Sequence, residues 1–170
     1  MKTDPPDTVD AVIDGWRTSR PDLDASPLEL VGRVIVLAGH LERGVDAALK
    51  PHGLVLGQFD ILATLRREGA GMTPSQLLQR VVLTSGGMTN RLDRLEASGW
   101  IARRADPADR RAVVVELTAA GKKVIDAATA TRLTQAADAL PLLTPTESHQ
   151  LTRLLRRWLV TLEDRADTGR

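Results

Sequence analysis

The chain contains no cysteine. That excludes disulfides, thiolate nucleophiles, cysteine-based zinc sites and thiol redox sensing together, and it suits a reducing compartment. Tyrosine is absent too, and the aromatic side chains are Trp16, Phe59, Trp100 and Trp158. Proteins that grip single strands or RNA stack bases on aromatic rings, so no such platform is expected. No apolar run is long enough to span a membrane, and the first residues do not read as a secretory leader. The expectation is a cytoplasmic protein with no membrane partner. His40, His52 and His149 lack metal-ligand spacing, and there is no glycine-rich phosphate loop after a strand, no nucleophile elbow and no clustered carboxylate pair. Neither enzymatic activity nor a metal or cofactor is expected.

A large charge of one sign is missing as well, since the formal net charge is +1. Locally the balance differs. From Arg80 to Arg111 seven arginines stand against Asp93, Glu96, Asp106 and Asp109, a net of +3. Acidic residues such as Asp4, Asp7, Asp10 and Asp14 offset it elsewhere. A basic patch on a nearly neutral body is compatible with a face that meets phosphates.

What is present is helical periodicity. Val9, Val12, Ile13 and Trp16 follow a 3–4 spacing, with Thr8 or Asp10 as candidate caps, and Arg20-Pro21-Asp22 ends the helix. Leu28, Val31, Ile35, Ala38, Leu41, Val45 and Leu49 make one stripe on a helix from about Pro27 to Lys50, which Pro51 stops. A third helix spans about Gly57–Glu68, with Phe59, Leu62 and Leu65 inward and Gly69 as its C-cap. Thr73-Pro74-Ser75-Gln76 is a capping-box start for a short helix that buries Leu77, Leu78 and Val81. After a break at 82–84, another helix runs from Ser85 to about Ser98.

Two short helices around a tight turn are followed by a hairpin. Trp100–Arg104 and Arg111–Leu117 read as strands, and Ala105–Arg110 as their loop. Thr118 then caps an alanine-rich helix reaching about Leu140. Thr144-Pro145-Thr146-Glu147 starts the last helix, whose stripe is Leu151, Leu154, Leu155, Trp158, Leu159 and Leu162. The fold class is mainly α with a small β-hairpin: a winged helix-turn-helix flanked by N- and C-terminal helices.

The chemistry sits on the helix from Ser85. Met88, Leu92 and Leu95 share one face; Gly86, Asn90, Asp93, Arg94 and Ala97 share the other, with Thr89 beside them. Small residues let a helix enter the major groove. Asn pairs with adenine, Arg with guanine, and Thr meets the thymine methyl. Such residues also occur on any solvated helix face. The hairpin adds Arg103, Arg104, Arg110 and Arg111, and a basic wing can reach a minor groove or phosphate. The candidate DNA contacts are Thr73, Ser75, Ser85, Gly86, Thr89, Asn90, Arg94, Arg104, Arg110 and Arg111, and the partner is double-stranded DNA.

Residues 73–121 resemble the MarR family of bacterial regulators. The resemblance is carried by Gly86-Gly87-Met88-Thr89-Asn90-Arg91-Leu92-Asp93-Arg94-Leu95-Glu96, Gly99-Trp100-Ile101-Ala102-Arg103-Arg104, the wing Asp106-Pro107-Ala108-Asp109-Arg110-Arg111, and Leu117-Thr118-Ala119-Ala120-Gly121. It implies a homodimer on a palindromic operator, acting as a repressor. It implies a division into an N-terminal extension (1–26), a dimerisation helix (27–56), a DNA-binding domain (57–118) and C-terminal dimerisation helices (119–170). The extra N-terminal helix resembles the urate-responsive branch of that family. Trp16, Asp60, Arg91 and Arg103 occupy the places of the branch's ligand-site residues, which implies an aromatic anion such as urate as effector. Each residue also has a plainer role: packing for Trp16, a solvated helix position for Asp60, a phosphate contact for Arg103. Phenolic acids and other aromatic anions suit a Trp–Arg pocket equally. A sequence-indifferent architectural DNA protein is a further alternative, although it would carry more positive charge.

Overall fold

The N-terminal helix, α1 (Thr8–Ser19), is capped by Asp7. Asp7 Oδ1 accepts from the backbone N–H of Val9 at 2.8 Å and of Asp10 at 3.0 Å, and Asp10 Oδ2 accepts from the N–H of Asp7 at 2.8 Å. The cap is therefore neither Thr8 nor Asp10. Asp7 has the extended backbone that an N-cap needs, and Thr8 already lies inside the helix. In this computed structural model the described residues are 5–81, 87–105, 113–141 and 143–168. They divide into two compact units, Met1–Gln135 and Ala136–Arg170.

In the first unit α1 docks on α2 (Leu28–Leu49). Val9 and Ile13 are buried there. Gly32 provides the notch: a Cβ at that position would sit 2.9 Å from Val9 Cγ1. Arg33 of α2 adds a charged clasp, donating from Nε to Asp7 Oδ2 at 2.8 Å and from Nη2 to Asp10 Oδ1 at 2.6 Å. Along α2 the apolar stripe divides. Val45 and Leu49 enter the core, whereas Val31, Ile35 and Leu41 stay exposed. A 3₁₀ turn at Lys50–His52 ends on Gly53, whose φ of 68° is easy for glycine. His52 Nε2 lies 2.8 Å from Thr131 Oγ1, so this histidine ties the turn to a later helix.

The helix α3 (Leu56–Glu68) runs through the core rather than over it. Its six consecutive residues Asp60–Leu65 are all buried, so Asp60 is not a solvated position. It packs with α4 (Pro74–Arg80) and α5 (Met88–Ala97). The central cluster includes Leu49, Leu62, Leu77, Leu92, Leu95 and Ile125. Truncating one such leucine to alanine typically costs about 2–5 kcal/mol. In α4 the expected inward set is corrected at one residue. Leu77 is fully buried, but Leu78 is exposed, because a seven-residue helix leaning on α3 and α5 covers little more than one side.

The hairpin pairs β1 (Ile101–Ala105) with β2 (Val113–Leu117), antiparallel, with Arg103 opposite Val115. Met72 adds a third rung that the sequence did not reveal. Its N–H donates to Val115 O at 3.0 Å and its carbonyl accepts from Val115 N–H at 2.8 Å. The hairpin base is thereby stitched to the segment entering α4.

Thr118 caps α6 (Ala119–Asp138) as expected, accepting from Gly121 N–H at 2.9 Å and donating to Gly99 O at 2.7 Å. Any side chain at Gly121 would collide with the carbonyl of Trp100. The Leu117-Thr118-x-x-Gly121 pattern is thus a joint that presses a helix onto the end of the hairpin. In the second unit, α7 (Pro145–Thr168) starts at Thr144 with the expected capping box to Glu147. None of its described side chains is buried, and Leu151, Leu154, Leu155, Leu159 and Leu162 are all exposed.

Candidate nucleic-acid interface

The reading helix α5 follows a Gly87 with φ of 81°, a left-handed turn that a side chain would strain. Met88, Leu92 and Leu95 are buried, which fixes the helix about its axis. Thr89, Asn90, Asp93, Arg94 and Ala97 are consequently exposed together. Arg94 forms no ion pair with any described residue, so its guanidinium is available to an outside acceptor. Of the other expected contacts, Ser85, Gly86, Arg110 and Arg111 lie outside the described residues, as does the Asp106–Arg111 wing pattern.

The supporting helix α4 is set by its cap. Thr73 Oγ1 accepts from Gln76 N–H at 3.2 Å, and Gln76 Oε1 accepts from Thr73 N–H at 2.8 Å. Thr73 is therefore a capping residue whose oxygen is already engaged. Ser75, in the first turn, is exposed. On the hairpin, Arg104 is the more open arginine, with its side chain 72% exposed and only a long 3.6 Å approach to Glu116. Such a contact contributes little, so Arg104 is free to meet phosphate.

Arg103, the preceding residue of β1, faces the other way. Its Nη2 donates to Asp93 Oδ1 at 2.7 Å and its Nη1 to Glu96 Oε2 at 3.1 Å. Both acceptors belong to α5. The carboxylates of Asp93 and Glu96 were not singled out from the sequence, although their i, i+3 spacing before a strand arginine was a legible signal.

The four expected ligand-site residues are not gathered in one place. Arg91 lies against α3: a Cβ on Gly57 would sit 2.7 Å from Arg91 Nε, so glycine there makes room for the guanidinium. Asp60 is one turn further along α3 and buried. Arg91 and Asp60 thus belong to the same α3–α5 seam. A cavity of about 230 Å³ opens on that seam, lined by Val55, Gln58, Gly87, Asn90, Arg91 and Arg94. Trp16 lines a different, mostly apolar cavity of about 300 Å³, with Leu23, Asp24, Ala25, Pro27 and Leu28. Neither Asp60, Arg91 nor Arg103 lines it. Among the described residues no group of three histidine or acidic side chains could hold a metal ion, and no helix is long and apolar enough to cross a membrane.

The arrangement can dock a helix in a major groove, flank it with a basic strand, and take an anion near α5. Known proteins resemble this chain in sequence and fold. The sequence model of the MarR family matches residues 54–113. The HTH-type transcriptional regulator PecS of Dickeya dadantii is 34% identical over 151 residues, covering 88% of this chain and 91% of that protein. A mutant MarR of Escherichia coli, solved in complex with operator DNA, superposes with a TM-score of 0.69 at 28% identity, over 81% of this chain and 99% of that one. A MarR family protein of Mycobacterium tuberculosis, solved in complex with p-aminosalicylic acid, gives a TM-score of 0.60 at 28% identity, over 76% and 97% of the two chains. This chain belongs to the MarR family of winged helix-turn-helix transcription regulators, proteins that act on DNA in the cytoplasm as homodimers and are not enzymes.

Proposed function

We propose that this regulator represses transcription from a two-fold symmetric operator and is released by a small aromatic anion. The DNA contacts of this reading are Ser75, Ser85, Gly86, Thr89, Asn90, Arg94, Arg104, Arg110 and Arg111. Thr73 contributes by holding the start of α4. The observation that carries it is the exposed Thr89–Asn90–Arg94 surface of α5, with Arg94 unpaired among the described residues. Two such helices in a dimer would enter successive major grooves about 34–36 Å apart. The DNA-binding part is residues 57–118, the dimerisation parts are 27–56 and 119–170, and residues 1–26 form an accessory helix and linker. The exposed stripes of α2 and α7 support that division, since apolar faces of this length are covered in a stable protein.

The effector class is aromatic anions. Support comes from the M. tuberculosis relative, whose structure holds p-aminosalicylic acid, and from arginines at the α3–α5 seam and on β1. Phenolic acids fit this reading directly. Urate is the narrower form of it, resting on Trp16, Asp60, Arg91 and Arg103 at the positions that resemble the urate-responsive branch. In that form an anion entering near Asp60 repels its carboxylate and loosens the hold on α5.

The test is a gel shift on the DNA upstream of the protein's own gene, against excess random duplex, with titrations of salicylate and of urate. Expected is operator-specific binding that one or both compounds reverse. Trp16→Phe and Arg103→Ala should raise the urate concentration needed. Release by salicylate alone removes urate. Release by neither removes the effector, and binding that random duplex abolishes would mark an architectural protein.

A further inference from the structure

Arg103 is the wing residue that the proposed effector would take, yet its guanidinium is already held. Asp93 accepts from Nη2 at 2.7 Å, Glu96 accepts from Nη1 at 3.1 Å, and the second oxygen of Glu96 accepts from the backbone N–H of Arg103 at 3.3 Å. Asp93 and Glu96 stand one turn apart on α5, so both carboxylates reach the same strand. The Arg103 side chain is 29% exposed, compared with 72% for Arg104 beside it. The arginine is thus partly shielded, while Asp93 at 56% and Glu96 at 39% stay open to solvent, so the clamp is worth no more than a modest, salt-sensitive amount. Among the described residues it is the charged side-chain link between the reading helix and the first wing strand.

We propose that Asp93 and Glu96 act as an internal carboxylate ligand of Arg103. They fasten the wing to the reading helix in the DNA-competent form, and an incoming carboxylate or urate anion competes with them for the same donors. The competition rests on reading Arg103 as the effector contact; the clamp on DNA binding stands apart from it. A planar guanidinium recognises a carboxylate through a fixed fork of N–H donors. A benzoate-type anion offers two carboxylate oxygens for the Nη1 and Nη2 donors that Glu96 and Asp93 now occupy with one oxygen each. If the two exclude each other, linkage requires that the clamp weaken the effector by the factor with which the effector weakens the clamp. Asp93 and Glu96 would then be the residues that set effector sensitivity, without touching effector or DNA.

The experiment uses the full chain. Operator and random-duplex affinities, and salicylate and urate affinities, are measured for wild type, Glu96→Gln, Arg103→Gln, the double variant and Arg103→Lys. Glu96→Gln removes a negative charge beside DNA, which by itself would tighten binding to any duplex. The clamp predicts the opposite for the operator: a loss of about threefold to tenfold, with random-duplex affinity not reduced. The same variant should bind the responsive anion about threefold to tenfold more tightly. In the Arg103→Gln background Glu96→Gln should cost the operator nothing and leave only the tightening it gives on random duplex, and Arg103→Lys should restore part of the operator affinity. Additive operator losses overturn the clamp. Unchanged anion affinity in Glu96→Gln, with the operator coupling intact, overturns the competition. If neither anion binds any variant, the effector reading fails, while the operator cycle still decides the clamp.

Discussion

Two neighbouring turns of α5 carry arginines with opposite circumstances. Arg91 is tucked against Gly57 of α3, whereas Arg94 points outward with no ion pair to a described residue. An arginine so placed can read a guanine edge on the proposed DNA face, whereas a phosphate contact would not discriminate sequence. Arg94→Ala should therefore weaken operator binding about tenfold or more while changing random-duplex binding far less. Equal losses in fluorescence anisotropy against the two duplexes would reduce Arg94 to a backbone contact. The burial of Asp60 belongs at this scale too. A carboxylate inside the core cluster is not explained by solvation, and its place on the α3–α5 seam brings it within a helical turn of the spot where Arg91 packs.

Among the elements, α1 is held to α2 by only two buried groups. Val9 fills the notch at Gly32, Ile13 is buried beside it, and the charged attachments are the Arg33 clasp on Asp7 and Asp10 and the exposed Arg17–Glu29 pair at 3.2 Å. The Asp10 carboxyl is held below its ordinary value, first by the backbone N–H of Asp7 and then by the Arg33 guanidinium. A carboxyl whose pKa is lowered by folding contributes stability that is complete above its unfolded value and is lost as pH falls through the lowered one. The helix should accordingly stay docked at neutral and mildly acid pH and loosen below about pH 4, where carboxylates take up protons. Hydrogen exchange read by NMR should show the α1 amides losing protection before those of α3. If α3 opens first or together with α1, the clasp is not what holds it. Arg33→Ala at neutral pH should reproduce the acid effect.

At the scale of the whole molecule, the apolar stripes of α2 and α7 each stand open to solvent. Ile35 on α2 is 66% exposed and Leu159 on α7 is 56% exposed. A charge at a position already open to solvent costs an isolated chain almost nothing, whereas a charge buried between two copies is expensive. Ile35→Asp and Leu159→Asp should leave the circular dichroism spectrum unchanged, convert the dimer to monomer in sedimentation, and abolish tight operator binding. The loss follows from halving the number of reading helices per molecule. A variant that remains dimeric would show that its position lies outside the interface.

Local signals determined much of this protein. Pro51, Gly69, and the capping boxes at Thr73 and Thr144, together with the 3–4 apolar spacing, settled the described helices to within a few residues, because a cap or a proline acts on its own turn. The reading face of α5 was equally legible, since Met88, Leu92 and Leu95 leave it one way to turn. Misjudgements arose where a neighbour decides. Leu78 looks like core and is exposed, because α4 is too short to be covered on two sides. The plainer alternative for Asp60, a solvated helix position, fails because α3 passes through the middle of the cluster and buries it. Met72 joins the sheet through a partner more than forty residues away. Arg103 carries the charge the sequence advertises, but its direction is set by strand register and by two carboxylates on another helix. Periodicity and caps are local and survive in a one-dimensional reading. The aim of a guanidinium, and the choice between Trp16 and Glu96 as its neighbour, exist only once the elements have packed.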